Sequence, residues 1–553
     1  MLTRFPNGVP MHSTRQRPTG FPRHLPLLLT LPLLLAACGG GDANLDTTPT
    51  RAMTVVAATG KAMAGAAVTV QDAAKATVGS GTTDANGKLV LNLPASAAAP
   101  FLLTVTPTSG SAQYAVTVKE TAVNVTPLTS VLAMQLLGTT PAATSASQLA
   151  AVDGTKIATA QTQLSTALAD AMRAMGVSAT YDFVNGPLVP GSSTDAADKL
   201  LDQLAVKVSG TDIDIVNTSG AILAQSTGGS VPRATGTALL ATPATPTARQ
   251  QQLMAMVPGT AAAPVFIEVA LDELLPTQPA VGYDQIYYKL GRYSAEDLIM
   301  DKTNKPKKFA ELCEANGQDD VVTKTANVTG ATLIKPPAAF ACKSPVGTKP
   351  GDMKTVVVGP GGKLYLTDGH HTFSAFWNAD GGVNQKLKVW VKLTDNLSKL
   401  NEVDFWSAMK AGKKVWLKDG ANRPIVTGQL PQQIGLAALG NDPYRALVYF
   451  TRDAGYIVPE ASTEFLEFYW GDWLRSKIDL AGYDLTSSAS YSSAILKASQ
   501  AMVALQATDV VSGGNTAASL GWSGKLDTKA LDDLVTPTGK LTYSIAYKKT
   551  LAK

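Results

Sequence analysis

His370 and His371 stand side by side just after Asp368 and Gly369, where an alternating run of residues gives way to a helical one. The chain has four histidines, and the other two, His12 and His24, lie near its start. All imidazole beyond residue 24 is therefore gathered at one corner, and imidazole is the side chain whose ordinary charge change falls nearest neutral pH. Residues 363–367 alternate as a strand does, and 373–377 carry helical spacing. A strand–glycine–helix corner aims backbone N–H groups and the positive end of a helix dipole at one point, which favours an anion. At least one of the two histidines is expected to serve as general base, general acid or phosphate donor. The adjacent ring points elsewhere and is expected to hold backbone. Asp368 suits an N-cap or a carboxylate that orients substrate, and with other oxygens it could hold a hard divalent cation. Zinc is disfavoured, because it takes three or four nitrogen or sulfur ligands and no third histidine is at hand. The sequence makes no cofactor certain.

The elements that must position this corner can be read around it. Val356-Val357-Val358 and Leu364-Tyr365-Leu366 flank Gly359-Pro360-Gly361-Gly362, a hairpin-like turn. Residues 265–269 read as a strand, 283–293 as a helix and 387–393 as a returning strand. Helical spacing is expected at 436–439, 444–450, 465–475 and 494–505. Upstream, 52–137 reads as all-β: 66–70 alternate, Asn86-Gly87 is a strong turn dipeptide, and 89–93 resume a strand. Residues 157–175 and 196–206 show helical spacing. Glycine and proline stretches at 186–193, 228–236 and 242–247 interrupt that part and suggest a loose connector with a linker near 225–262.

The corner also carries a family resemblance. Thr367-Asp368-Gly369-His370-His371-Thr372 resembles the signature of the ParB/sulfiredoxin superfamily, in its ParB-like nuclease branch. Leu275-Pro276-Thr277-Gln278-Pro279-Ala280-Val281-Gly282 is similar to the opening strand of that fold, and 465–475 to the tail of that branch; together the resemblance spans about 265–480. It implies an α/β core with Asp368, His370 and His371 as catalytic residues. Gly369, Thr372, Gln278, Lys289 and Arg445 are the expected anion-binding set, Lys289 lying on the helix that the fold brings near the corner. Sulfiredoxin places a cysteine where His370 stands here, which argues against its chemistry. In nucleotide-binding ParB proteins arginines follow the signature glycine, whereas this chain has Thr372-Phe373. Arg292, Arg452 and Arg475 are substitute cations, and Glu467 and Asp472 are further carboxylates. The segment from 66 to 88 resembles a transthyretin-like or carboxypeptidase-regulatory domain, whose implied role is that of a spacer.

Charge and cysteines bear on compartment. Four arginines without an acid precede an apolar run at 25–35, and Leu35-Ala36-Ala37-Cys38 looks like a bacterial lipobox. Cys38 is the expected lipidated N-terminus, with the membrane as its partner through that lipid. Without residues 1–37 the chain has 43 basic and 43 acidic residues, so the global positive charge of many nucleic-acid binders is absent. The charge is uneven, with 14 basic against 7 acidic residues from 331 to 423. Cys313 and Cys342 remain, and an exported chain with two cysteines invites one disulfide.

The sequence thus reads as a multidomain chain. A signal peptide (1–37) and a lipidated tether (38–50) precede an all-β sandwich (51–138). A helical connector (139–262), an α/β ParB/sulfiredoxin-like core (263–480) and a helical or irregular tail (481–553) follow. Two functions stay open: a metal-assisted phosphodiesterase or nuclease outside the cytoplasm, and a non-catalytic anion- or nucleotide-binding module on a lipoprotein stalk. The partner implied by either is a phosphate-containing small molecule or a nucleic acid. No protein partner can be inferred.

Overall fold

Short β-branched runs separated by turn residues dominate the N-terminal part of the computed structural model. The structure describes residues 50–240, 244–299, 306–322, 330–338, 340–460 and 462–551; Cys38 and the leader lie outside them. Seven strands come first: β1 (Thr50–Ala57), β2 (Ala67–Gln71), β3 (Thr77–Thr82), β4 (Lys88–Pro94), β5 (Phe101–Thr106), β6 (Gln113–Thr117) and β7 (Ala122–Val125). They form a three-stranded sheet, β4-β1-β7, and a four-stranded sheet, β3-β2-β5-β6. Val55, Val70 and Leu103 from the two sheets share one core. Helix α1 (Pro127–Leu137) closes that core. Thr126 caps it, with its side chain on the Thr129 N–H and the Thr129 side chain returning to the cap.

Four helices follow: α2 (Ala146–Ala150), α3 (Gly154–Ala167), α4 (Ala169–Met175) and α5 (Ala196–Asp202). The helix expected over 157–175 is broken at Leu168, whose backbone leaves helical geometry. After Asp202 the chain departs from the expected helix and linker. It forms β8 (Leu204–Ser209), β9 (Asp212–Asn217), β10 (Ile222–Ser226) and β11 (Arg233–Ala234), a sheet in the order β11-β10-β9-β8. The reason is local. Val206 and Val208 favour strand, and the Asn217 side chain accepts the Ser219 and Ala221 N–H groups to make the β9–β10 turn. Val216 and Ile222 then pack with Val357, Tyr365 and Phe405, and Ile222 N–H donates to Glu402.

The C-terminal part runs α6 (Ala248–Ala255), β12 (Val265–Ala270), β13 (Leu274–Pro276), β14 (Ala280–Val281), α7 (Tyr283–Ile299), α8 (Lys307–Ala315), β15 (Thr355–Val358), β16 (Leu364–Leu366) and α9 (His370–Asn378). It continues through β17 (Lys388–Asn396), α10 (Glu402–Ala411), β18 (Gly440–Asn441), α11 (Pro443–Thr451) and α12 (Leu466–Leu474). Five strands make a mixed sheet, β12-β17-β15-β16-β13. Its alternation sorts its faces: Val356 and Val358 join the core that holds Phe373 and Phe376 of α9, and Val357 joins the core under α10. The helix expected at 436–439 is a turn, because Gly435 and Leu436 donate their N–H groups to Ser374 and Asn378 of α9.

Cys313 of α8 and Cys342 form a disulfide with 5.5 Å between Cα atoms. The last elements, α13 (Ser488–Val503), β19 (Val510–Ser512), β20 (Asn515–Thr516), α14 (Thr528–Asp533) and α15 (Lys540–Leu551), do not hang free. Asp284 at the start of α7 accepts from the Tyr491 hydroxyl at 2.9 Å and pairs with Lys548 at 2.8 Å. Among the described residues no helix is long and apolar enough to cross a membrane.

Candidate functional site

Hairpin register builds the corner. β15 and β16 are antiparallel, with Val356 opposite Leu366 and Val358 opposite Leu364, which carries Lys354 to the level of Asp368. Thr367 N–H donates to Thr355 O at 2.9 Å, and the two threonine hydroxyls meet at 2.8 Å. The Lys354 ammonium lies 3.7 Å from the half-exposed Asp368 carboxylate. Gly369 has φ 106°, and a Cβ there would fall 2.5 Å from Lys354 Cγ. Both the backbone and the space demand glycine. Gly369 is also the N-cap of α9, and no side chain caps that helix. Its first bond back to the cap is Phe373 N–H to Gly369 O, so the N–H groups ahead of Phe373 carry the helix's positive end without a capping acceptor.

The two imidazoles are not divided between pocket and backbone as expected. His370 Nε2 accepts the Thr277 N–H at 3.1 Å, and His371 Nε2 accepts the Gly282 N–H at 2.9 Å. Both rings are buried and pin α9 to the segment between β13 and α7. An accepting Nε2 puts the hydrogen of a neutral ring on Nδ1. Burial, and then the Arg445 guanidinium, push His370 down to about 3 and hold His371 well below its ordinary value. Both rings are neutral at physiological pH.

The eight residues singled out from the sequence, Gln278, Lys289, Asp368, Gly369, His370, His371, Thr372 and Arg445, line one cavity of about 260 Å³. Its charged lining is Lys289, Lys354, Arg445 and Arg452 against Asp368, Glu464 and Glu467. Arg445 on α11 is buried; it donates to Gln285 at 3.1 Å and pairs with Glu467 at 3.4 Å. Arg452 also pairs with Glu467. Burial acts upward on Glu467, but Arg445 and Arg452 outweigh it and hold the carboxyl below its ordinary value. The Nε atoms of both arginines are buried without a protein partner. Lys289 sits 2.6 Å from Glu311; burial and the neighbouring Arg292 and Lys354 press its pKa downward. Gln278 is spent on its own loop, donating to Ala280 O at 2.6 Å.

Three other expected residues lie elsewhere. Arg475 pairs with Asp442 at 2.7 Å at the start of α11. Asp472 accepts from Lys418, Asn422 and Ser512. Arg292 lines an adjoining cavity of about 710 Å³. Among the described residues no group of three or more histidine, cysteine or acidic side chains is arranged to hold a metal ion.

Sequence reasoning missed Lys354 and Glu464. The hairpin turn at 359–362 held the signal for Lys354, since counting back across it reaches Lys354 from Asp368. Glu464 stands one residue before the stretch read as the family's tail. It faces the cavity from the start of α12, beside Phe465 at φ 59°, a left-handed backbone uncommon for a bulky residue. Burial, and then the Asp368 charge, push it up to about 7, against Lys414 and Lys392.

Residues 267–476 match the family model described as "Putative ParB-like nuclease", so this segment is similar to ParB-like domains. Among solved structures the chain is similar to protein Atu1540 from Agrobacterium tumefaciens, at 23% identity and a TM-score of 0.30, over 44% of this chain and 92% of that one. No curated protein matches the chain.

Proposed function

We propose that the ParB-like domain binds a phosphodiester at the Asp368–Thr372 corner and hydrolyses it, outside the cytoplasm and anchored through lipid on Cys38. The observation that carries this reading is the cavity: an uncapped helix start, two arginines with unpartnered Nε atoms, and two lysines converge on a space of about 260 Å³. Such a space suits one phosphoryl group, whose transition-state charge is stabilised by fixed donors. The N–H groups of the first turn of α9 receive one phosphoryl oxygen, and Lys354, Arg445 and Arg452 neutralise the others. Asp368 is solvent-accessible and takes the proton of the attacking water. His370 and His371 hold the frame through Nε2. The same assay decides whether a divalent cation is also needed.

The rival reading, a non-catalytic anion-binding module, is favoured by the commitment of both imidazoles to backbone. The deciding experiment incubates purified protein lacking residues 1–38 with DNA, RNA, nucleotides and a simple phosphodiester, with magnesium and with a chelator. Cleavage supports the enzyme. Tight phosphate binding without turnover supports the module, and neither result leaves the corner without a role. Cys38→Ser should release the full chain from the membrane fraction, because the anchor's affinity comes from its buried acyl chains; unchanged membrane association removes the anchor.

A further inference from the structure

We infer that Glu464 is the proton donor to the leaving group, a catalytic residue that no motif in the chain announces. This rests on the phosphodiesterase reading. Glu464 and Asp368 line the same cavity from different elements, one from the start of α12 and the other from the corner before α9. The donors that would hold a phosphoryl group, Lys354, Arg445 and Arg452, line that same cavity. In-line displacement at phosphorus needs a proton acceptor on the side of the attacking water and a donor on the side of the departing oxygen. The histidines are poor candidates for the donor, since burial and Arg445 hold both rings neutral and a neutral imidazole is a very weak acid. Glu467 is ruled out by Arg445 and Arg452, which keep it ionised.

Glu464 differs from both. The charged groups acting on it are Asp368 from the corner, Lys414 from beyond α10 and Lys392 from β17, and Lys289, Lys354, Arg445, Arg452 and Glu467 line the same cavity. Burial and Asp368 together leave its carboxyl at about 7, so it is about half protonated at neutral pH. A carboxyl that can keep its proton near neutral pH, set in the same site as a proton acceptor, is the arrangement that separates acid from base. Phe465 beside it is held in a left-handed backbone and lines the same cavity.

The step balances without a co-reactant. The water oxygen forms a bond to phosphorus, and its proton passes to Asp368. The bond from phosphorus to the ester oxygen breaks, and that oxygen takes the Glu464 proton and leaves as an alcohol. Asp368 then loses its proton and Glu464 regains one, through solvent. Because Glu464 must be protonated to act, turnover falls as pH rises through about 7.

The test compares two phosphodiesters, one with an alkyl leaving group and one with p-nitrophenolate, which departs without protonation. Glu464→Gln should lower kcat on the alkyl ester by about 10²- to 10⁴-fold and on the p-nitrophenyl ester by no more than about threefold. It should also abolish the alkaline fall in the pH profile, with the melting temperature and inorganic phosphate binding unchanged. An equal loss on both esters would make Glu464 a positioning residue and overturn the proposal, as would full activity on both. If the wild-type protein cleaves neither ester, the phosphodiesterase reading itself falls, and with it the donor. If the wild type is active and only the selectivity between esters fails to appear, Glu464 alone is wrong.

Discussion

The β-rich N-terminal part keeps its ion pairs at the surface, and the ParB-like part buries several beside its exposed ones. In the first, the ion pairs Arg51–Glu120, Lys119–Asp182 and Arg173–Asp170 all keep both partners more than a quarter exposed, where such pairs add little to stability. Its core is the apolar interior shared by two sheets and α1. The second buries Lys289–Glu311, Lys308–Asp380 and Arg445–Glu467, with every partner below a fifth exposed. A buried ion pair is often no more stabilising than apolar residues of the same volume. Of these buried pairs, Arg445–Glu467 lies at the cavity and Lys289 also lines it, whereas Lys308–Asp380 lies apart from it.

Matched substitutions break this comparison most directly. Arg445→Ala leaves Glu467 buried beside one arginine instead of two and should cost about 3–5 kcal/mol, the penalty for breaking a buried pair. Leu103→Ala, at a fully buried site in the N-terminal core, should cost about 2–5 kcal/mol through the cavity it opens. Urea titration checks both. The two proteins should then part company: calorimetry with inorganic phosphate, on folded protein, should show binding lost with Arg445→Ala and kept with Leu103→Ala. Equal binding in both would deny the arginine its role.

Cys313→Ser with Cys342→Ser comes next. The bridge closes a sequence separation of 29, and its loss should remove roughly 3–4 kcal/mol in the chain-entropy model. Cys313 sits in α8 with Glu311, the partner of Lys289. A lowered urea midpoint with an unshifted phosphate affinity would show that the bridge supports the fold alone.

A smaller effect attaches to His371→Ala, which strands the Gly282 N–H and should cost about 1–3 kcal/mol; His371→Gln, which can still accept, should recover part of it. The pH sign follows from the depressed values. A ring that is neutral when folded and titrates near 6.5 when unfolded gives its full contribution above about 6.5. That contribution is lost as pH falls, for His370 over the window from 6.5 to about 3. Thermal melts of the wild type between pH 7 and pH 4 should show this decline, and His370→Gln should flatten it.

What the sequence made legible follows from the range of each signal. The corner was local: alternation, a glycine and helical spacing within a dozen residues located Asp368 to Thr372, and the two cysteines implied their bridge. Strands β8 to β11 were missed because Gly-rich turns and short β-branched runs look like a linker until a partner surface, here Val357 and Tyr365, covers them. The commitment of His370 and His371 was invisible because their acceptors' partners, Thr277 and Gly282, lie about ninety residues away in sequence. Glu464 was hidden for the same reason: only folding brings the start of α12 to the corner.

The smallest expected effect on stability and the sharpest on chemistry meet in Asp368→Asn. The side chain is 55% exposed and its Lys354 contact is 3.7 Å, so the substitution should move stability by no more than about 0.5 kcal/mol. If Asp368 is the proton acceptor, turnover of a phosphodiester should fall by about 10²- to 10⁴-fold. Phosphate affinity should move the other way, because one negative charge leaves a cavity that holds an anion while Lys354 is freed to meet it. Calorimetry and a steady-state assay on the same preparation would read both. Opposite movements assign Asp368 to proton transfer. If affinity and turnover fall together, the carboxylate served only to hold Lys354 and the corner in place, and the charge contrast between the two halves would then describe binding without chemistry.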